Sequence, residues 1–165
     1  MRIYGIHPVE ELLATSHRKI TSVLVSDFDG TAGELARKAR ELGLQVDRAS
    51  ESKLDSLVHG GNHQGIVAET TPFEYVELDD LIEASDDQSR ACLLVLDHVQ
   101  DPQNVGAILR SAAAMEVDGM IIPKDRAAGV TGAVVRASAG QAFRVPVAQI
   151  TNVTRTLERL KEERY

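Results

Sequence analysis

A single cysteine in 165 residues excludes a disulfide framework and any cysteine-based metal site within the chain. That residue, Cys92, lies inside the apolar run ACLLVLD and reads as a buried strand position. No stretch reaches the ~18 consecutive apolar residues of a membrane-spanning helix. The opening MRIYGIHPVEELL has neither the apolar core nor the cleavage site of a signal peptide, so a cytoplasmic, non-membrane protein is expected. Cations are also scarce, with 18 Lys and Arg against 25 Asp and Glu and a net charge of −7. Phosphate contacts ask for the reverse. The deficit is local, however. Residues 73–90 hold seven acids (Glu74, Glu77, Asp79, Asp80, Glu83, Asp86, Asp87) and one base, Arg90, leaving 17 basic and 18 acidic groups elsewhere. Such a run reads as a solvated linker, and charge neither supports nor excludes a nucleic-acid partner.

What is present is an alternation of strand-like and helix-like segments, the pattern of an α/β protein. A 43% apolar content suffices for a core. A helix is predicted from His7 with Pro8 in its first turn, then strand ITSVLVS (20–26), helix GELARKAREL (33–42) closed by Gly43, and strand LQVDRA (44–49). Ser50 is a good N-cap for a short helix to Val58, and the loop HGGNH (59–63) leads to strand GIVAETT (65–71). Pro72 and the acidic run mark a boundary. Beyond it come ACLLVLD (91–97), a run of the kind buried on both faces of a parallel sheet, a helix from about Asn104 to Met115 and strand GMIIP (119–123). A helix near 131–139 ending at Gly140, strand FRVPV (143–147) and a helix after Thr151 complete the pattern. The expected division is a small N-terminal α/β module (1–71), an acidic linker (72–89) and a parallel-sheet domain (90–165).

Residues 27–31, DFDGT, follow an apolar strand as in haloacid-dehalogenase-like phosphatases, whose paired aspartates attack phosphorus and hold Mg²⁺. That chemistry also needs a second acidic pair at another strand end. The only adjacent pair, Asp79–Asp80, lies in the acidic linker, so Asp27, Asp29 and Gly30 read better as a strand-to-helix turn.

The informative stretch is LDHVQDPQNVGAILRSAAAMEVDGMIIPKDR (96–126). A buried strand ends near Asp97 and a polar loop opens a helix near Asn104, at the strand ends where open α/β sheets hold ligands. Arg110 leans back towards the helix N-terminus. Gly106, four residues earlier, offers no side chain and is expected to let the backbone approach a ligand. Ala107, Ser111, Ala112, Ala113 and Ala114 keep the helix slim for packing on a sheet. From the pattern alone, an amphipathic helix with one exposed arginine remains open.

DPQNVGAILRSA, with Asn104, Gly106 and Arg110, resembles the first signature of the SpoU family of RNA ribose 2′-O-methyltransferases, which belong to the trefoil-knot SPOUT class. GMIIPKDRA and VRASAGQAFRVPV resemble its continuation. GIHPVEELL (5–13) and HQGIVA (63–68) resemble the RNA-binding module that precedes the catalytic domain. The resemblance implies S-adenosylmethionine as methyl donor, no metal, a homodimer, and RNA as substrate, ribosomal RNA and guanosine first. It implies catalytic roles for Arg110 and Asn104 at the ribose 2′-hydroxyl. A guanidinium holds its proton at neutral pH, so a bidentate grip on a neighbouring phosphate that favours the alkoxide is easier to defend than a free base. In the N-terminal module the candidate RNA contacts are Arg2, His7, Arg18, Lys19, His63 and Gln64. His98 reads as solvated polar filler and His63 as mainly structural.

Two later family motifs, one glycine-rich with a glutamate and one with proline, serine and asparagine, supply the donor pocket, and neither appears in these 165 residues. Gly140 reads as a helix cap. The expectation is therefore an incomplete SPOUT domain with no donor-binding residue of its own, inactive alone. The alternative is a non-catalytic RNA-binding module.

Overall fold

The computed structural model describes residues 1–16, 19–84, 91–163 and 165. The fold is α/β and divides into two compact units, Met1–Phe73 and Glu74–Tyr165.

The first unit is built on a four-stranded sheet, β1 (Arg2–Tyr4), β2 (Ile20–Val25), β3 (Val46–Arg48) and β4 (Ile66–Thr70), in the order β1-β4-β2-β3. β4 is antiparallel to both neighbours and β2 is parallel to β3. The first strand was not foreseen: three residues carry too little alternation to register. Its Ile3 is fully buried. Helices α1 (Ile6–Thr15), α2 (Gly30–Glu41) and α3 (Glu51–Val58) connect the strands. α1 starts one residue before the expected His7, because its start is fixed from outside: Oε1 of Gln64 accepts from Ile6 N–H at 2.9 Å. Ser50 caps α3, its hydroxyl accepting from Lys53 N–H. Leu54 and Val58 of α3 pack with Ala49 and Val67. The glycine loop after α3 is shaped by Tyr4, since a Cβ on Gly61 would lie 2.2 Å from the Tyr4 hydroxyl.

The second unit holds a three-stranded parallel sheet, β5 (Leu93–Val95), β6 (Gly119–Pro123) and β7 (Val147–Ile150), in the order β5-β6-β7. Helices α4 (Leu78–Ala84), α5 (Pro102–Ala114), α6 (Gly132–Ala137) and α7 (Val153–Glu162) pack around it, with a 3₁₀ turn at Gln141–Phe143. Three expectations need correction. The strand buried on both faces is β6, whose five residues are all buried. β5 pairs on one side only among the described residues, is half-buried, and leaves Cys92 exposed. FRVPV is not a strand. Pro146 has no N–H for a ladder, so pairing with β6 begins one residue later, at Val147. The acidic segment is more than a linker: Leu81 and Ile82 of α4 are buried with Ile121, Ala148 and Ile150. A Cβ on Gly119 would lie 2.3 Å from Leu81 Cδ1, so β6 begins with a glycine where α4 crosses it. Arg90, the expected start of this domain, lies outside the described residues.

Candidate active site and nucleic-acid contacts

β5 delivers the chain to Asp97 and His98, whose carboxylate and imidazole pair with one another. His98 sits at φ 58, in the left-handed region that non-glycine residues rarely occupy. From there the chain runs to Asp101, the N-cap of α5, whose carboxylate accepts from Gln103 N–H at 2.9 Å. Pro102 takes the first helical position, where a missing N–H costs nothing. The helix therefore starts two residues before the predicted Asn104. Val99 carbonyl accepts from Ala128 N–H at 2.9 Å, which ties this loop to the one after β6.

Val105, Gly106, Leu109 and Ala112 form the buried face of α5, while Asn104 and Arg110 are exposed. Six residues of α-helix separate those two by ~9 Å along the axis and ~120° around it. Ala107, also exposed, lies between them in angle. The two polar side chains thus flank a low apolar floor, and the guanidinium, leaning towards the N-terminus, closes much of the axial gap. Neither side chain makes a hydrogen bond or ion pair among the described residues. Such a pair offers a rigid fork of N–H donors and a neutral amide to a ligand at the sheet's C-terminal end.

Gly106 does something other than expected. A Cβ there would lie 2.3 Å from the Ala137 Cβ and 2.9 Å from the Val134 carbonyl. Its bare backbone lets α5 cross α6 closely and faces that helix, so it offers no approach to a ligand. Ser138 is likewise internal, fully buried, donating to Val135 carbonyl and accepting from Ala142 N–H. Gly140, at φ 87, ends the α6 segment by donating to Val135 carbonyl.

The structure does not gather the candidate contacts of the first unit at one place. His7, with 79% of its side chain exposed, lies in the first turn of α1, whose first N–H Gln64 accepts. Arg2 is paired to Glu69 at 3.3 Å and Lys19 stacks over Phe73 at 5.9 Å, both near the far end of β4, roughly 17 Å away at a strand's rise per residue. Arg18 lies outside the described residues. His63 is 6% exposed and its ring is fully engaged. Nδ1 accepts from Gly65 N–H at 3.0 Å, and Nε2 lies 3.3 Å from Asp55 and 3.4 Å from Glu51. It anchors the HQG loop to α3. The sequence reading of His63 as mainly structural did not identify its partners, because Glu51 and Asp55 lie twelve and eight residues earlier and form no local pattern with it.

In DFDGT, Asp27 accepts from Phe28 N–H at 2.7 Å and Asp29 is the N-cap position of α2. Among the described residues no three His, Cys, Asp or Glu side chains gather to hold a metal. The turn accounts for the motif.

Comparison with known proteins gives these features a setting. A family model described as RNA 2′-O ribose methyltransferase substrate binding matches residues 2–76, and one described as SpoU rRNA Methylase family matches residues 91–165. The chain is 39% identical over 163 residues to a putative TrmH family tRNA/rRNA methyltransferase of Bacillus subtilis, covering 97% of this chain and 65% of that protein. It is 41% identical over 168 residues to an uncharacterized tRNA/rRNA methyltransferase of Synechocystis, covering 99% and 43%. The chain thus spans less than two thirds of these relatives' length. Among solved structures, the SpoU methyltransferase AviRb from Streptomyces viridochromogenes has a TM-score of 0.75 at 23% identity, covering 99% of this chain and 58% of that one. An AdoMet-bound rRNA methyltransferase from Sinorhizobium meliloti has 0.72 at 22% identity, covering 97% and 57%. At these identities the two structures establish the fold.

Proposed function

The chain belongs to the SpoU family of RNA methyltransferases, and from that premise we propose that it supplies the acceptor side of a ribose 2′-O-methylation site in RNA. The observation that carries this reading is the exposed, unpartnered pair on α5, Asn104 in its first turn and Arg110 two turns further on. A 2′-hydroxyl is a poor nucleophile until its alkoxide is favoured. Arg110 serves by gripping an adjacent phosphate with two parallel N–H donors, which fixes the ribose and stabilises the negative charge that develops on its oxygen as the hydroxyl proton passes to solvent water. Asn104 orients the hydroxyl through its amide. Ala107 between them leaves room for the sugar.

S-adenosylmethionine is the methyl source this reading implies, carrying an electrophilic methyl on a sulfonium. A groove in the second unit, at the C-terminal ends of β6 and β7, is lined in part by Lys124, Arg155 and Arg159, a poor seat for a sulfonium cation. The residues present there do not fit the donor, and none is assigned to it. Ribosomal RNA is the proposed substrate class, in keeping with the names of the methylase family model and the Sinorhizobium protein, and guanosine is the nucleotide to test first. A homodimer in the cytoplasm completes the proposal, and sedimentation of the purified protein tests the assembly. The activity is tested by incubating the intact protein that carries these residues with labelled donor and ribosomal RNA. Incorporation that disappears with Arg110→Ala supports the assignment. Incorporation that persists at the wild-type rate rejects it.

A further inference from the structure

We propose that the groove at the C-terminal ends of β6 and β7 seats a phosphate of the RNA backbone beside the nucleotide being modified. The inference rests on the RNA-methylating reading above and adds a contact site to it. Lys124 follows the last residue of β6, and its N–H donates to Ile150 carbonyl at 2.8 Å, which locks the two strand ends side by side. After β7 the chain turns through Thr151 to Asn152, whose side chain accepts from Arg155 N–H at 2.9 Å and caps α7. Arg155 and Arg159, one turn apart, then face the same cavity of about 330 Å³ as Lys124, with Gln149 and Thr151 adding an amide and a hydroxyl.

The charges are disposed for an anion. Asp79 holds Arg159 in place, whereas Lys124 and Arg155 are exposed and form no ion pair among the described residues. Three cations against one acid stand out in a chain whose net charge is −7. Its overall field repels a polyanion, so local cationic seats must supply the attraction. β5, β6 and β7 are parallel, so this groove opens at the same end of the sheet as the loop from β5 into α5. β5 and β7 are two strand spacings apart, roughly 10 Å. An RNA strand with its ribose at Asn104 and Arg110 passes the groove within a few nucleotides.

Free phosphate and backbone phosphate share this chemistry, and two measurements separate them. The first is fluorescence anisotropy of a labelled ribo-oligonucleotide with the full chain across a KCl series. Lys124→Gln with Arg155→Gln is expected to weaken binding about tenfold and to lower the slope of log Kd against log salt by ~1.4, the value for two lost single-strand contacts. Lys161→Gln, on another side of α7, is expected to leave both unchanged. The second is titration of the wild-type chain with inorganic phosphate, followed by amide chemical shifts, which should saturate at Lys124 and Thr151–Thr156. RNA binding with the wild-type slope in the double variant overturns the proposal and leaves the family reading standing. A wild-type chain that binds phosphate in the groove but no RNA overturns the backbone assignment and the RNA reading with it.

Discussion

Replacing Gly106 with alanine separates two physical effects of opposite sign. Helix propensity alone favours alanine inside α5 by ~1 kcal/mol. The position opposes it, because the new Cβ would lie 2.3 Å from Ala137 Cβ and 2.9 Å from Val134 carbonyl. Carbon atoms rest at ~3.5–4.0 Å, so α6 has to withdraw by more than an ångström or both helices must distort. Over-packing of this kind costs ~1–3 kcal/mol, and a backbone carbonyl yields less readily than a side-chain tip. Taking the upper part of that range against the propensity gain leaves a net loss of about 2 kcal/mol. For a domain of this size that lowers the melting temperature by roughly 10 °C. Urea unfolding followed by circular dichroism, with amide exchange in α5 and α6 to isolate the second unit, measures it. Ala137→Gly on the Gly106→Ala background removes the closest contact, so the pair should couple favourably by ~1 kcal/mol. A Gly106→Ala chain more stable than wild type, or one with no coupling to Ala137, would refute the close-crossing account and return Gly106 to the role of a ligand-facing glycine.

Three further outcomes are expected. Gln64→Ala removes the side chain that accepts from Ile6 N–H and should destabilise the first unit by ~1 kcal/mol, as loss of an N-cap does. Urea midpoints check this, and an unchanged midpoint would show the contact to be incidental. His63→Ala strips the acceptor from Gly65 N–H and the ring facing Glu51 and Asp55. Leaving that donor unsatisfied should cost about 1–3 kcal/mol, and faster amide exchange at Gly65 would locate the loss. Calorimetric titration of residues 1–165 with S-adenosylmethionine should give no saturable heat, since the groove at the ends of β6 and β7 is lined by Lys124, Arg155 and Arg159, and like charge disfavours a sulfonium there. Stoichiometric heat would mean that these residues form a donor pocket of their own.

Much of the fold was legible because its signals are local. Ser50 as an N-cap, GMIIP as a strand with the same bounds as β6 and Gly140 as a terminator each follow from a few adjacent residues. What was missed depends on partners distant in sequence. β1 is defined by its pairing with β4, and the start of α1 by Gln64, fifty-eight residues away. The burial of α4 is visible only once Gly119 is placed beneath Leu81. FRVPV carries its own local counter-signal in Pro146, which has no N–H for a ladder. At the site, Asn104 and Arg110 stood out as polar residues on a helix of small ones. Gly106 misled for a physical reason: an absent side chain reads the same whether it makes room for a ligand or for another helix.

The central claim, that Asn104 and Arg110 present a ribose hydroxyl for methylation, is tested most directly by locating the transferred methyl group. RNA methylated by the intact protein is subjected to limited alkaline cleavage, which requires a free 2′-hydroxyl. The expected result is one nucleotide resistant to cleavage with the wild-type protein. Resistance should fall by orders of magnitude with Arg110→Ala, because a charge-assisted contact to developing charge is worth several kcal/mol of barrier. Folding should change by no more than ~0.5 kcal/mol, since Arg110 is an exposed helix residue. A methyl group found on a base, or full resistance retained in Arg110→Ala, would contradict the account.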